Sequence, residues 1–322
     1  MTCGMLLTMS ITIVIFMYAV WSSMFSFAKI ALAYSPPIFL TGARMGLAAV
    51  LLLSYLLIVK RSSFKLRPVQ WVSIFLLGFF SIYLTNILEF WALQYLSSAK
   101  ACFIYSLSPF FAAFFSYLHF GEKMNGRKWI GLTLGLIGII PVLSLQTGDE
   151  GLLSAFSFLS WPAIAMIGAA LASVYGWVLL RLIVKDSQVS PLMANGASML
   201  FGGLLAFGHS FLVESWNPTP VVSGMMVPFL GWTLFMAFIS NIVCYNLYGM
   251  LLKRFTATFL SFMGLLSPIF ASIHGWIFLG EVPSPLIFVS TAIVCSGLWI
   301  VYAAELKQGY MTVKPEKKQQ PV

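Results

Sequence analysis

From near its N-terminus to about Tyr302 the chain is a succession of apolar stretches separated by short polar breaks, most of them close to the roughly 20 residues that a helix needs to cross a bilayer. Nothing else in the sequence restricts the fold as much. Lipid offers no hydrogen bonds, so every peptide group in a spanning segment must be satisfied within the protein, by a helix or by a closed barrel. Runs of this length without strict alternation select helices. Only 8% of the 322 residues are charged and 60% are hydrophobic, whereas an ordinary soluble domain has roughly 25% charged residues. A soluble protein with a very large core would still need charged faces on its outer helices, and these runs are apolar nearly all round. The first basic residue is Lys29, so the N-terminus lacks the basic start of a cleavable signal and the first run is expected to be retained.

The polar breaks divide the chain into ten predicted helices, approximately 7–31, 37–59, 70–93, 98–120, 129–145, 159–182, 190–213, 226–250, 256–279 and 285–304. Ser35-Pro36-Pro37, Gly148-Asp149-Glu150-Gly151 and Asn217-Pro218-Thr219-Pro220 carry turn chemistry. Of the 18 Lys and Arg residues, 15 fall in alternate breaks or in the tail: Lys60 to Arg67, Lys123 to Lys128, Arg181 with Lys185, Lys253 with Arg254, and Lys307 onward. The positive-inside rule then places both termini in the cytoplasm, and an odd number of spans would scramble the division. Topology and contact with anionic lipid account for the formal charge of +9, so the expected partner is the bilayer and not nucleic acid. Cys3, Cys102, Cys244 and Cys295 have no paired spacing; they read as small buried hydrophobes, with no metal or disulfide framework.

"LSPFFAAFFSYLHFGE" at 107–122 returns as "LSPIFASIHGWIFLGE" at 266–281. At a constant offset of 159, Leu107, Ser108, Pro109, Phe111, Ala112, Gly121, Glu122 and Gly138 match Leu266, Ser267, Pro268, Phe270, Ala271, Gly280, Glu281 and Gly297. Proline, Gly-Glu and a final glycine in one register point to internal duplication, with a first five-helix repeat at 1–148, a second at 152–305 and a cytoplasmic tail at 306–322. Since five is odd, the second copy enters the membrane inverted, as in many secondary transporters whose site lies where the halves meet. Pro109 and Pro268 each remove a donor within a predicted helix and read as fixed kinks or as hinges. Gly121 and Gly280 suit helix stops, and the glutamates after them suit a cap or a pair with a base.

With these motifs in view, the chain resembles the drug/metabolite transporter superfamily, in its ten-helix EamA-like branch. The resemblance rests on "W-S-S-x-F-x-x-x-K" at Trp21 to Lys29, on Ser35-Pro36 leading through six residues to Ala43-Arg44, and on both Ser-Pro…Gly-Glu…Gly halves. Ser22 stands where glycine is usual. The resemblance implies an all-α inner-membrane carrier of small metabolites such as amino acids and nucleosides, with two inverted repeats around a central cavity. The chain also looks like the bacterial branch that carries S-adenosylmethionine, which implies uptake or exchange of S-adenosylmethionine and S-adenosylhomocysteine. The alternatives are an amino-acid or drug exporter of the same family or, in other classes, a membrane-embedded enzyme or a channel. His119, His209 and His274 have no ligand spacing and no Gly-rich phosphate loop occurs, so no catalytic centre, cofactor or nucleotide drive is expected. The sequence assigns no oligomeric state.

Ionisable groups inside spans are costly and usually face a cavity or a partner. Here they are Lys29, Arg44, Glu89 and Lys100, all in the external third of the first repeat by the topology above, accompanied by Asn86, Asn241 and Asn246. Lys29 and Lys100 suit snorkelling to the outer interface. Arg44 and Glu89 suit either a buried ion pair or a site in which Arg44 grips a carboxylate and Glu89 takes a cationic group or a proton. Asn86 shares a helix face with Glu89. Trp21, Tyr83, Phe90, Trp91, Phe103, Tyr105, Trp177, Tyr245 and Phe262 supply aromatic faces for packing or for stacking a planar base. The expected substrate-binding set is Arg44, Asn86, Glu89, Trp91, Lys100, Tyr105, Asn241 and Tyr245.

Overall fold

The structure, a computed structural model, describes residues 3–96, 101, 104–146, 160–270, 273–274 and 286–309. Lys100, Phe103, Gly280, Glu281 and the tail beyond 309 lie outside the described residues, so the expectations placed on them are not addressed. The described chain is helical throughout, with no strand. In order the helices are α1 (Cys3–Trp21), α2 (Met24–Leu32), α3 (Pro37–Val59), α4 (Pro68–Leu93), α5 (Ser108–Phe120), α6 (Gly126–Gln146), α7 (Trp161–Arg181), α8 (Pro191–Val213), α9 (Met226–Leu251), α10 (Ala257–Phe270) and α11 (Leu286–Lys307). Among the described residues, seven helical stretches are long and apolar enough to cross a membrane: Ile11–Leu32, α3, α4, Trp161–Lys185, α8, α9 and Val289–Lys307. Their outer faces are exposed hydrophobic side chains such as Ile58, Phe211 and Trp299, which is the surface of an integral membrane protein.

The helix starts follow from local chemistry. Pro37, Pro68 and Pro191 open their helices at the first turn, where a missing N–H is no loss. Ser190 accepts from Met193 N at 3.3 Å and Thr256 from Phe259 N at 2.9 Å, each satisfying an orphan donor. The predicted stop at Gly121 is present, with φ 65° in the left-handed region that glycine adopts without strain.

Five expected helices are interrupted. The first breaks at Ser22–Ser23, where the hydroxyls turn back onto Ala19 O at 2.9 Å and Val20 O at 2.7 Å and offer the backbone an alternative to the helix ladder. In the fourth, a turn at Ser106–Leu107 precedes α5, so Pro109 lies in the first turn of a helix and not in the middle of one. The mid-helix reading of Pro109 is thereby corrected: its missing donor is one that no helix start uses. In α10 a 3₁₀ turn, Gly264–Leu266, likewise stands immediately before Ser267-Pro268. The third and eighth carry π-helical segments, Gly78–Leu84 in α4 and Ala237–Cys244 in α9. These begin 159 residues apart, the offset of the repeated phrase, and the second is one residue longer.

Helices from the first half of the chain pack on helices from the second: α3 on α8, α6 on α11, α4 on α7, α5 on α10 and α2 on α9. Small residues allow the closest crossings. A Cβ on Gly131 would lie 2.7 Å from Gly297 O, and one on Gly297 would lie 2.6 Å from Gly131 O, so α6 and α11 touch backbone to backbone. Two buried ion pairs also join the halves. Arg181 Nη2 meets Glu122 Oε1 at 2.6 Å, and Lys128 Nζ meets Glu305 Oε1 at 2.5 Å, with Thr256 Oγ1 donating to Glu305 Oε2 at 2.5 Å. Glu122 therefore takes the base-pairing role expected of it. Two of the basic residues counted toward topology are thus neutralised inside the protein.

Candidate functional site

A cavity lies between the halves, with about 140 Å³ open to the centre of a water-sized sphere. The first half supplies Arg44 from α3, then Thr85, Asn86, Glu89 and Phe90 from the stretch of α4 that follows the π turn. The second half supplies Trp177 from α7 and Tyr245 and Tyr248 from the stretch of α9 that follows its own π turn. Trp21 and Ser22 at the break in the first span, and Ser108 and Ser267 at the two Ser-Pro breaks, complete the wall. Helix irregularities and cavity therefore coincide, as π segments and broken helices do at functional sites in membrane proteins.

Arg44 and Glu89 share this cavity without forming an ion pair. Arg44 is 4% exposed; its Nη2 donates to Asn86 Oδ1, its guanidinium lies 4.9 Å from the centre of the Phe90 ring, and its Nε has no partner. Glu89 Oε2 accepts from Tyr105 OH at 2.5 Å. Each charge is held by a neutral neighbour, leaving the guanidinium donors and the carboxylate for a ligand that brings both signs. A ligand meeting them need not first separate a buried ion pair, a step that costs about 3–5 kcal/mol when one partner is removed.

The same cavity holds an aromatic group. Trp21 lies 5.6 Å from Trp177 and 5.4 Å from Tyr245 between ring centres, and Trp177 lies 4.3 Å from Tyr248 and 5.0 Å from Tyr245. Such faces take a planar ring by stacking or a cation by its attraction to the ring quadrupole.

Of the expected set, the structure brings Arg44, Asn86, Glu89, Tyr105 and Tyr245 together. It does not bring Trp91, which is 37% exposed and packs on Tyr95 at 5.2 Å; two residues beyond Glu89, it points about 200° around the helix. Nor does it bring Asn241, fully buried inside the π segment of α9, whose Nδ2 donates to Met45 Sδ at 3.0 Å. Lys100 lies outside the described residues. Lys29, half-buried at the end of α2, does not line the cavity. Tyr83 contacts His209 Nδ1 at 3.0 Å instead, and Phe262 is packed in the core.

The residues that sequence reasoning missed are mostly uncharged: Tyr18, Ser22, Ser173, Ser240, Tyr248 and Ser261. One signal was available. Positions 159 apart line the cavity in pairs, namely Asn86 with Tyr245, Glu89 with Tyr248, Tyr105 with Gly264 and Ser108 with Ser267. Applying the repeat offset to Glu89 would have found Tyr248.

Known proteins resemble this chain along most of its length. The sequence profile of the EamA-like transporter family matches residues 8–144 and again 160–303. A Chlamydia muridarum protein named S-adenosylmethionine/S-adenosylhomocysteine transporter is 40% identical over 91% of this chain and 91% of its own. A Chlamydia trachomatis serovar L2 protein of the same name is 40% identical over 91% and 88%. At greater distance, the uncharacterized inner membrane transporter YedA of Escherichia coli K12 is 25% identical over 88% of each chain. One crystal structure superimposes with a TM-score of 0.72 at 17% identity, covering 94% of this chain and 99% of the other, a likeness of fold.

Proposed function

Because this chain belongs to the EamA-like transporter family, whose members move solutes and are not enzymes, we propose that it carries S-adenosylmethionine and S-adenosylhomocysteine across the bacterial inner membrane by alternating access. The observation that carries the reading is one cavity that holds both Arg44 and Glu89, each on a neutral partner, together with a cluster of Trp and Tyr rings. The proposed substrates combine a carboxylate and an ammonium with an adenine ring, and S-adenosylmethionine adds a sulfonium. Arg44 takes the carboxylate with its planar fork, Glu89 takes a cationic group, and the rings around Trp21 and Trp177 take the base or the sulfonium. The names of the Chlamydia relatives support the same assignment.

In this reading the chain crosses the bilayer ten times as two inverted five-helix halves, 1–148 and 152–305, with both termini in the cytoplasm. Support comes from the two stretches matched by the family profile, the π segments that start 159 apart, the breaks before both Ser-Pro pairs and the paired lining positions. The Glu122–Arg181 and Lys128–Glu305 pairs join the halves at the end where this topology puts the cytoplasm. A buried pair is close to break-even against hydrated ions, which suits a contact made in one state and opened to water in the other.

The test is uptake of labelled S-adenosylmethionine by cells expressing the chain, with competition by a panel of amino acids and nucleosides. The expected result is saturable uptake blocked by S-adenosylhomocysteine and not by methionine or adenosine at equal concentration. Membrane-inserted protein with no saturable uptake contradicts the substrate. Uptake blocked by free amino acids points instead to an amino-acid carrier.

A further inference from the structure

A π segment places an extra residue in its turn, so the regular ladder is broken and carbonyls are left to other donors. In α4 the wide turn closes with Thr85 N donating to Phe80 O, and in α9 with Tyr245 N donating to Ser240 O, each five residues back. Both segments recruit an asparagine side chain just beyond them. Asn86 Nδ2 donates to Ile82 O at 2.8 Å and Ser81 O at 3.4 Å; Asn246 Nδ2 donates to Ile242 O at 2.8 Å and Asn241 O at 3.3 Å. The same amide supports the same distortion twice.

The other end of each amide differs. Asn246 Oδ1 accepts from Asn195 Nδ2 at 3.1 Å, and Asn195 also donates to Tyr245 O at 2.9 Å; neither asparagine lines the cavity. Asn86 Oδ1 instead accepts from Arg44 Nη2, inside the cavity. One asparagine is closed within the scaffold, and the other joins the π turn to a charged group that faces a ligand.

We propose that Asn86 is a positioning residue: it holds Arg44 in the orientation that takes a substrate carboxylate, and does so only while the π turn of α4 persists. The inference rests on the reading that Arg44 binds that carboxylate. The guanidinium is fixed through Nη2 in the cavity wall, and its Nε is buried without a partner. Asn86 is in turn fixed by the carbonyls that the π turn exposes. Removing the extra residue of that turn rotates one side of α4 against the other by about 100°, which takes Asn86 off Arg44 and turns Glu89 out of the cavity. By reciprocity of linked equilibria, whatever the π turn does for carboxylate affinity, a bound carboxylate does for the π turn. Substrate capture and the shape of α4 thereby become one equilibrium.

Equilibrium binding of S-adenosylmethionine and of its decarboxylated analogue to purified protein in nanodiscs tests this, for wild type, Asn86→Ala, the isosteric Asn86→Asp, Asn246→Ala, Arg44→Ala and the Arg44→Ala/Asn86→Ala double variant. Asn86→Ala is expected to weaken S-adenosylmethionine at least about tenfold, the scale of a lost hydrogen bond to a charged group, and to leave the decarboxylated analogue within about twofold. Asn86→Asp, which packs alike and ties Arg44 to a charge, weakens S-adenosylmethionine as well and covers the case in which the alanine variant does not fold. Asn246→Ala changes neither ligand by more than about twofold, and the double variant binds like Arg44→Ala alone, the non-additivity of residues acting through one another. Equal losses for both ligands, an Asn246→Ala effect matching that of Asn86→Ala, or additive losses in the double variant overturn the inference while the substrate assignment stands. Folded wild-type protein that binds no S-adenosylmethionine overturns the substrate assignment, and this inference with it.

Discussion

Both halves of the chain give the cavity rings, but its charged lining residues, Arg44 and Glu89, come from the first half, although both halves use the same places on their helices. Asn86 answers to Tyr245, Glu89 to Tyr248 and Tyr105 to Gly264, while Ser108 and Ser267 are the same residue in both. The scaffold is repeated and the chemistry has diverged upon it. A cavity with like walls suits a symmetric ligand or none in particular. One that adds two opposite charges to a group of rings suits a molecule with an amino-acid end and a planar end. Divergence is greatest where the ligand's two ends differ and least at the Ser-Pro breaks, which set backbone shape.

This contrast can be broken or sharpened by substitutions among the charges or the rings. Arg44→Ala is expected to have the largest effect, lowering kcat/KM for S-adenosylmethionine transport at least about 100-fold through loss of a forked carboxylate contact, with membrane levels close to wild type. Comparable transport by that variant would remove the carboxylate site. Glu89→Gln is expected to cost about tenfold for S-adenosylmethionine. Comparing it with S-adenosylhomocysteine, which lacks the sulfonium, sharpens the picture: an equal loss places the ammonium at Glu89, and a smaller loss places the sulfonium there. Among the rings, Trp177→Ala should weaken both nucleoside ligands about fivefold, near the lower end of what base stacking contributes, and a loss confined to one of them would contradict base stacking. The smallest effects are expected from Ser108→Ala and Ser267→Ala, within about twofold of wild type and of each other, the scale of one hydrogen bond between neutral groups. A large difference between the two serines would break the claim that the repeated breaks serve alike. Lys317→Ala, in the tail, should change transport not at all.

Much of this was legible in the residues because lipid makes polar groups conspicuous. Arg44, Asn86 and Glu89 stood out in apolar runs, the three-residue spacing of the last two fixed their common face, and the Ser-Pro…Gly-Glu…Gly phrase pointed to a repeat, although Pro109 stands at a helix start and not mid-helix. What stayed hidden has physical causes. Trp91 resembles a cavity aromatic in composition, but only the phase of α4 says that it faces outward. Asn241 lies inside a π segment, and the shift of phase there turns it onto Met45. The ring cluster around Trp21 unites residues far apart in the chain, as do the Glu122–Arg181 and Lys128–Glu305 pairs. No local pattern reports which distant helix a side chain will meet. Tyr18 and Ser173 were invisible because hydroxyls are common in spans, and only the cavity gives them a role.

The central claim is that one cavity, open to each side in turn, carries a molecule bearing both an amino-acid group and an adenine. Counterflow in proteoliposomes holding the purified chain tests it most directly. Preloading the vesicles with S-adenosylhomocysteine is predicted to accelerate entry of labelled S-adenosylmethionine, saturably, above the rate in empty vesicles. Entry that is absent, or that rises linearly with concentration and ignores what the vesicles contain, would contradict it.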